Sequence, residues 1–183
     1  DAKSANEKLK KAHEKLEELA HIDPLTTALN RHAFHGYLKR NGNGSQSVSG
    51  CVGFFDIDDL KEINDSYGHG VGDVAIRIAV KAMREVIRPE DLIFRWGGDE
   101  FFVIMIGLDA QAAYGRMEKF EKMLTNVAVE GADKLFTIGV SHAFENFGDL
   151  ADLENTIAKA DAMMYLNKQQ RKLANKTAEV SSQ

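Results

Sequence analysis

The chain has 183 residues, of which 44% are hydrophobic and 28% are charged, and its formal net charge is −5. This length and composition suit one globular domain with a short extension. The negative charge argues against a general nucleic-acid binder, because such proteins need a basic face to displace phosphate counterions. An acidic protein can still bind a phosphorylated ligand where metal ions bridge the like charges.

The single cysteine, Cys51, excludes an intrachain disulfide and lies in an apolar run, so we expect a small core residue rather than a nucleophile. No signal peptide is visible, and the longest apolar stretch, near 101–108, is too short to cross a bilayer. These features predict a cytoplasmic domain without a membrane segment. The start at Asp1 instead of methionine indicates a fragment, which leaves room for a sensor or membrane domain upstream.

Residues 1–20 are rich in Lys, Glu, Ala and Leu, and their apolar positions are spaced alternately by four and three. These positions are Ala5, Leu9, Ala12, Leu16 and Leu19. The heptad spacing predicts the end of a coiled coil, which would be a signalling helix in front of the domain. A single amphipathic helix packed on its own domain fits the spacing equally well.

After this segment, turn residues alternate with periodic apolar stretches. Asp23, Pro24 and Thr26 predict a turn, and residues 41–50 predict a polar loop. The other predicted elements are a short helix ending near 38, a strand at 50–57, a helix at 71–88, hairpin strands at 92–96 and 101–106, a helix at 110–124, a strand at 135–142 and a helix from 151 to about 172. This order predicts an α/β sandwich in which helices cover one sheet.

The two hairpin strands flank Gly97 and Gly98. A two-residue turn that matches the twist of its strands needs positive φ, which glycine adopts freely. The sequence therefore predicts a tight turn at this place.

Acidic residues cluster at the ends of two predicted strands. Asp56 and Asp58 alternate along one strand and so share a face, whereas Asp99 and Glu100 follow the glycine turn directly. Hard oxygen ligands of this kind suit Mg²⁺ or Mn²⁺ rather than Zn²⁺. Consecutive strand residues point to opposite faces, so spacing alone leaves open whether Asp99 and Glu100 reach one metal ion. Surface acids on a solvated hairpin tip are the alternative.

Five segments, in the same order, resemble the motifs of the GGDEF family of diguanylate cyclases. They are DPLTTALNR at 23–31, FDIDDLKEIND at 55–65, YGHGVGD at 67–73, RWGGDEF at 95–101 and ADAMMY at 160–165. The resemblance implies a polymerase-palm or adenylyl-cyclase-like fold, with a mainly antiparallel central sheet flanked by helices. It also implies a catalytic domain at 21–173, preceded by the helix of 1–20 and followed by a tail at 174–183.

The resemblance implies that two GTP are condensed into cyclic di-GMP and two pyrophosphates across a homodimer, with two Mg²⁺ or Mn²⁺ ions per active site. The implied catalytic residues are Gly97, Gly98, Asp99 and Glu100. The implied metal ligands are Asp56, Glu100, the Ile57 carbonyl and Asp99, although Asp99 has the alternative role of helping to deprotonate the ribose 3′-OH. GTP and cyclic di-GMP are the expected partners, and no nucleic-acid polymer is expected.

Asn64 and Asp73 match the family's guanine-reading pair. A carboxylate accepts from N1–H and the 2-amino group of guanine, and adenine lacks both donors at those places, so the pair implies rejection of ATP. The other implied substrate-binding residues are Leu60, Lys61, His69, Lys168 and Lys172. Among them Lys61 and Lys168 match phosphate contacts, and the role of His69 is open between substrate contact and helix-start packing.

The sequence departs from the family pattern in three segments. In the segment at 55–65, Leu60 stands where the family usually has Phe, and Asp59 stands where an aromatic residue or His is commoner. Thr27 and Ala28 replace a Gly-Leu pair in the opening motif. Lys172 stands where the family has arginine, and a lysine cannot grip a phosphate bidentately. The departure either weakens the grip on the triphosphate or leaves Arg171 to substitute.

Arg88 and Asp91 resemble the Arg-x-x-Asp site at which the family binds its own product and is inhibited. A favourably placed arginine at a helix C-terminus is the alternative explanation. Two other hypotheses stand beside the enzyme, namely a non-catalytic module that binds GTP or cyclic di-GMP and regulates a partner, and a dimerising scaffold.

Overall fold

The computed structural model describes residues 4, 6–10, 16, 21–41 and 48–181, and the side chains of the last helix as far as residue 173. Of the predicted heptad positions, Ala5, Ala12 and Leu19 lie outside the described residues, as does 42–47 of the polar loop. Leu9 and Leu16 are 69% and 65% exposed. The coiled coil therefore stays a prediction.

The elements from residue 21 onward follow in chain order. They are β1 (Leu29–Asn30), α1 (Arg31–Asn41), β2 (Gly50–Ile57), α2 (Leu60–Tyr67), α3 (His69–Val86), β3 (Leu92–Arg95), β4 (Glu100–Ile106), α4 (Ala110–Tyr114), α5 (Met117–Met123), β5 (Val127–Ala128), β6 (Leu135–Phe136), β7 (Val140–Phe147) and α6 (Leu153–Ser181). A short 3-10 turn, Leu150–Asp152, precedes α6.

The main sheet has the strand order β1-β3-β4-β2-β7, and a separate small ladder joins β5 to β6. Only β1 runs parallel to its neighbour in the main sheet; the other pairs are antiparallel. Helices pack on both faces, so the predicted α/β fold with a mainly antiparallel sheet is confirmed. The predicted strand at 50–57 coincides with β2.

Side chains of β2 alternate between two apolar clusters. Cys51 and Phe55 pack with α3 and α5 on one face, whereas Val52 and Phe54 pack with α1 and α6 on the other. Cys51 is fully buried, which confirms the expected core role, and burial raises the pKa of its thiol to about 12. The same alternation turns the next residue of the second set, Asp56, toward α6.

Three predicted elements have different bounds in the structure. The helix predicted at 110–124 is interrupted at Gly115 and becomes α4 and α5. The strand predicted at 135–142 is split between two sheets as β6 and β7, because Ile138 N–H donates instead to the Leu124 carbonyl at 2.9 Å. The last helix runs on to Ser181, where the sequence predicts its end near 172. Three short elements, α2, β1 and β5, were not predicted.

The prediction of a tight two-residue turn at Gly97 and Gly98 is wrong. Residues 96–99 separate β3 from β4, and neither Gly97 nor Gly98 has φ in the left-handed region. The N–H groups of Trp96 and Gly97 both donate to the Glu100 carbonyl, at 2.8 and 3.2 Å, so the hairpin closes through a wider, bulged loop.

Thr27 has a φ of 62°, at the place where the family motif has glycine. A β-branched residue in this region is strained by about 1–2 kcal/mol, whereas glycine costs only its extra backbone entropy. We expect Thr27→Gly to raise the free energy of unfolding by about 1 kcal/mol in urea denaturation. Asn126→Gly is the matched control, because Asn126 has a φ of 55° but asparagine tolerates it. A Thr27→Gly variant less stable than the parent would contradict this strain.

Candidate active site

Three acids meet at the ends of β2 and β4. Asp56 lies opposite Glu100 in the antiparallel register, and both are on the α6 face of the sheet. Asp99 lies in the loop before β4, where its carbonyl accepts a hydrogen bond of 3.0 Å from the Ile57 N–H. The loop therefore brings Asp99 close to the pair although it is not on their strand face.

Burial and mutual repulsion disfavour the charged forms of these acids. Burial, and then the neighbouring carboxylates Asp99 and Asp58, raise the pKa of Asp56. Burial, and then Asp99, Asp161 and Asp56, raise the pKa of Glu100. Such a group of half-buried carboxylates needs a cation to be stable when ionised.

Lys168 of α6 supplies a positive charge at this place. Its ammonium is ion-paired with Asp56 and lies 3.3 Å from Asp58 Oδ1. Burial would lower the pKa of Lys168, but the contacts with Asp56 and Asp58 raise it above its ordinary value. Lys168 was expected to contact phosphate, and its contact with the acids was not foreseen.

The donor set suits a hard divalent cation, because carboxylate and carbonyl oxygens are the ligands that Mg²⁺ and Mn²⁺ prefer. Within the described part of the chain, no three His, Cys, Asp or Glu side chains are already close enough together to hold a metal ion. A cation binding at Asp56 would meet the Lys168 ammonium at that carboxylate.

Hydrogen bonds from Arg95 hold the loop that contains Gly97 and Gly98. The Arg95 guanidinium donates to the Gly97 and Gly98 carbonyls at 3.2 and 2.7 Å and pairs with Asp23 at 3.1 Å. A Cβ on Gly97 would stand 2.6 Å from Glu100 Oε2, whereas one on Gly98 would meet nothing within 4 Å. Gly97 thus leaves room for the Glu100 carboxylate, and Gly98 faces open space. The roles of Arg95 and Asp23 were missed by the sequence analysis.

The expected guanine pair lies at the junction of α2 and α3. A Cβ on Gly72 would stand 1.9 Å from Asn64 Oδ1, so the Asn64 amide lies directly against this glycine. Asn64 Oδ1 is buried and has no hydrogen-bond partner among the described residues, and Asp73, next to Gly72 in sequence, is exposed. An unpartnered acceptor beside an exposed carboxylate suits a ligand that presents several N–H donors.

The other expected substrate residues are dispersed around this junction. Lys61 and His69 are exposed, on α2 and at the start of α3, whereas Leu60 is 9% exposed and packs into the core. The structure gives Leu60 a packing role and leaves His69 accessible.

A basic stretch of α6, residues 168–172, lines a cleft of about 450 Å³ together with Asp58 and Asp59. Arg171 donates to Asp58 Oδ2 at 3.3 Å, and Lys172 to Asp59 Oδ1 at 3.0 Å. Lys172, which replaces the family's arginine, is thus directed at Asp59, and Arg171 is the cation that joins Lys168 at Asp58.

Arg88 and Asp91 are close together but differ in access. Arg88 is exposed, whereas Asp91 is 3% exposed and its Oδ2 accepts from the Arg88 N–H at 2.8 Å. Burial raises the pKa of Asp91, and the hydrogen bond to Arg88 opposes that shift. Asp91 therefore shapes the turn that presents Arg88, and only Arg88 is well placed to reach a ligand.

Because the pKa of Glu100 is raised, its ionised form opposes folding. This penalty is absent at low pH and appears as the pH rises through the raised pKa. At neutral pH without divalent cations we expect Glu100→Gln to raise the free energy of unfolding by at most about 1 kcal/mol, because solvent screens this partly exposed carboxylate, and thermal unfolding would report at most about 2–4 °C. Glu118→Gln, at a carboxylate that is 78% exposed, is the control and should change little. If Glu100→Gln is less stable than the parent across the whole pH range, the ionised Glu100 does not oppose folding.

A family model described as diguanylate cyclase, GGDEF domain, matches residues 20–173. The chain belongs to the GGDEF family. This GGDEF domain is 38% identical over 104 residues to the probable diguanylate cyclase DgcT of Escherichia coli, which covers 57% of this chain and 23% of the relative. It is 35% identical over 135 residues to a cyclic di-GMP phosphodiesterase, NbdA of Pseudomonas aeruginosa, covering 71% of this chain and 17% of the relative. The chain thus spans less than a quarter of either relative.

Among solved structures, the domain resembles the coiled coil and GGDEF domain of DgcB from Caulobacter crescentus, in complex with c-di-GMP. The TM-score is 0.72 and the identity 26%, and the match covers 93% of this chain and 92% of the DgcB chain. This likeness agrees with the palm-like sheet described above. No helix in the described part of the GGDEF domain is both long and apolar enough to cross a membrane.

Proposed function

We propose that this GGDEF domain is a diguanylate cyclase, which condenses two GTP into cyclic di-GMP and two pyrophosphates. The observation that carries the proposal is that Asp56 and Glu100 lie opposite each other at the strand ends. The ammonium of Lys168 contacts Asp56, and the loop of Gly98 next to Glu100 in the chain faces open space. Carboxylates in this arrangement suit phosphoryl transfer, and the similarity to named diguanylate cyclases supports the reaction.

In this proposal Asp56, Glu100, Asp99 and the Ile57 carbonyl hold two Mg²⁺ or Mn²⁺ ions per active site. When bound, such ions neutralise the triphosphate and stabilise the attacking and leaving oxygens of an in-line displacement. The raised pKa values of Asp56 and Glu100 support this role, because a bound cation would stabilise carboxylates whose charged forms are disfavoured by burial and by one another.

The chain's own residues position the nucleotide. Lys168 and Lys172, with Lys61, contact the phosphates, and Gly97 and Gly98 let the backbone approach them. The open space beside Gly98 and the cleft next to Lys168 support this placement. His69 is accessible for a further substrate contact, while Leu60 supports the site from the core.

Asn64 and Asp73 read the base. The Asp73 carboxylate accepts from the N1–H and 2-amino groups of guanine, and the unpartnered Asn64 Oδ1 offers another acceptor beside it. Adenine would leave these acceptors unpaired, so the pair selects GTP.

The product requires two subunits, because one domain supplies one nucleotide site. Each ribose 3′-oxygen forms a bond to the α-phosphorus of the GTP on the other subunit, the α–β phosphate bond breaks, and pyrophosphate leaves. The 3′-OH proton is lost in this step, and Asp99 either receives it or serves as a metal ligand. The helix that the sequence predicts for residues 1–20 aligns the homodimer in this proposal, and cyclic di-GMP inhibits it at Arg88, with Asp91 fixing that turn.

The dimer hypothesis predicts that specific activity depends on protein concentration. Cyclic di-GMP formed per mole of protein should rise with concentration and vanish where sedimentation shows a monomer. An unchanged specific activity for a demonstrably monomeric protein would sink the two-subunit mechanism. We place the reaction in the cytoplasm, where GTP and Mg²⁺ are supplied.

The second candidate is a module that binds GTP or cyclic di-GMP without turnover. The similarity to a protein named as a phosphodiesterase favours weighing it, because a GGDEF domain can be part of a protein with another activity. Tight binding of GTP with no product at any protein concentration would favour this module over the cyclase.

A further inference from the structure

The Asp58 carboxylate contacts three side chains that carry hydrogen-bond donors, and none of the roles proposed above accounts for these contacts. Its carboxylate accepts from the buried Ser141 hydroxyl at 2.8 and 3.1 Å, lies 3.3 Å from Lys168 Nζ, and pairs with Arg171 at 3.3 Å. The Asp58 side chain is 12% exposed and Ser141 is fully buried. The hydrogen bonds from Ser141, on the neighbouring strand β7, therefore fix the direction of this carboxylate.

Lys168 contacts two carboxylates, of which only one is a proposed metal ligand. It is ion-paired with Asp56, the proposed metal ligand, and lies within reach of Asp58, which has no proposed metal role. A cation that binds Asp56 repels the Lys168 ammonium from that side. Asp58 offers the ammonium a second partner a short distance away, so Lys168 can give up Asp56 without moving out to solvent.

We propose that Asp58 is a positioning residue, oriented by Ser141, which retains Lys168 beside the site when a divalent cation occupies Asp56. The inference rests on the proposed function of the same site and extends it, since it names what holds the phosphate-binding lysine in place. Arg171 is held by the same carboxylate and so remains at the edge of the cleft that Lys168 and Lys172 also line.

The proposal predicts an effect on metal affinity that runs through Lys168. Without Asp58, Lys168 has only Asp56 as partner and competes more strongly with the cation. We expect Asp58→Asn to weaken Mn²⁺ binding, measured from the free Mn²⁺ signal in electron paramagnetic resonance, by about tenfold. In a Lys168→Met background, Asp58→Asn should weaken Mn²⁺ binding only as much as the loss of any nearby negative charge would.

Asp59→Asn gives the size of that general charge effect, because it removes the same charge from the next residue, which pairs with Lys172 instead. Ser141→Ala is a second variant that changes no charge. It should weaken Mn²⁺ binding in the same direction as Asp58→Asn, by a smaller factor, and have no effect in the Lys168→Met background.

The same set of variants gives a second measurement with α,β-methylene-GTP, which cannot release pyrophosphate. With Mn²⁺ saturating, Lys168→Met should weaken its binding about tenfold in the parent and hardly at all once Asp58 is asparagine. Equal losses from Asp58→Asn in both backgrounds, for Mn²⁺ and for the analogue, would overturn the proposal and leave Asp58 as a structural tie between β2 and α6. Both measurements are made without turnover, so a failure to form cyclic di-GMP would count against the cyclase alone.

Discussion

Asp56→Asn is expected to reduce cyclic di-GMP formation by about 1000-fold or more while leaving the domain folded. The asparagine keeps the shape of the side chain but removes the carboxylate that faces Glu100 and pairs with Lys168. Loss of the charge that attracts divalent cations removes stabilisation of the displacement itself, which is commonly the largest part of such catalysis. Lys168 still has Asp58 as a partner, so its ammonium is not left unpaired.

The measurement is the initial rate of product formation with GTP and Mg²⁺, together with a thermal unfolding curve. Asp133→Asn is the matched control, since Asp133 is exposed between β5 and β6 and far along the chain from the acids. The control should keep the parent's rate. A rate for Asp56→Asn within tenfold of the parent's would show that Asp56 does not bind the divalent cations needed for the reaction.

Gly72→Ala is expected to lower kcat/KM for GTP by about 100-fold, although it adds only one methyl group. The new Cβ would stand 1.9 Å from Asn64 Oδ1, so the amide must leave its place against residue 72. Misplacing a positioning group by about 1 Å commonly costs this much. Because we propose that the displaced group reads the base, we expect the preference for GTP over ATP to fall as well.

Gly70→Ala is a close control, because Gly70 lies in the same first turn of α3 and a Cβ there would meet nothing within 4 Å. It should keep activity and gain up to about 1 kcal/mol of stability from better helix propensity. Asn64→Ala, which introduces no clash, should reproduce the loss seen in Gly72→Ala. If kcat/KM and base preference in both Gly72→Ala and Asn64→Ala match the parent, this junction is not the guanine site.

The parts of the fold that the sequence predicted are those governed by local periodicity. The run from Gly50 to Ile57 is apolar and ends in acids, so its strand and the placement of Asp56 follow directly. The short helix α2 was missed, although it carries Asn64, because eight residues offer too few turns for a clear period. The strain at Thr27 is likewise invisible without backbone angles.

The contacts that organise the candidate site are formed by residues distant in sequence. Lys168 and Asp56 are 112 positions apart, and Ser141 and Asp58 are 83 apart, so no spacing rule joins them. The sequence likewise suggested that Gly97 and Gly98 form a tight turn, whereas their loop is held by Arg95 and Asp23. Motif resemblance named the residues, and only the packing of α6 and β7 on β2 shows which of them contact one another.

The account is tested most directly by identifying the nucleotides formed when concentrated protein is incubated with GTP and Mg²⁺, beside an Asp99→Ala, Glu100→Ala double variant. We expect cyclic di-GMP and pyrophosphate in a ratio of one to two from the parent and no product from the double variant. GTP that is bound but unconverted by a dimeric parent, or equal product from both proteins, would contradict catalysis at the ends of β2 and β4.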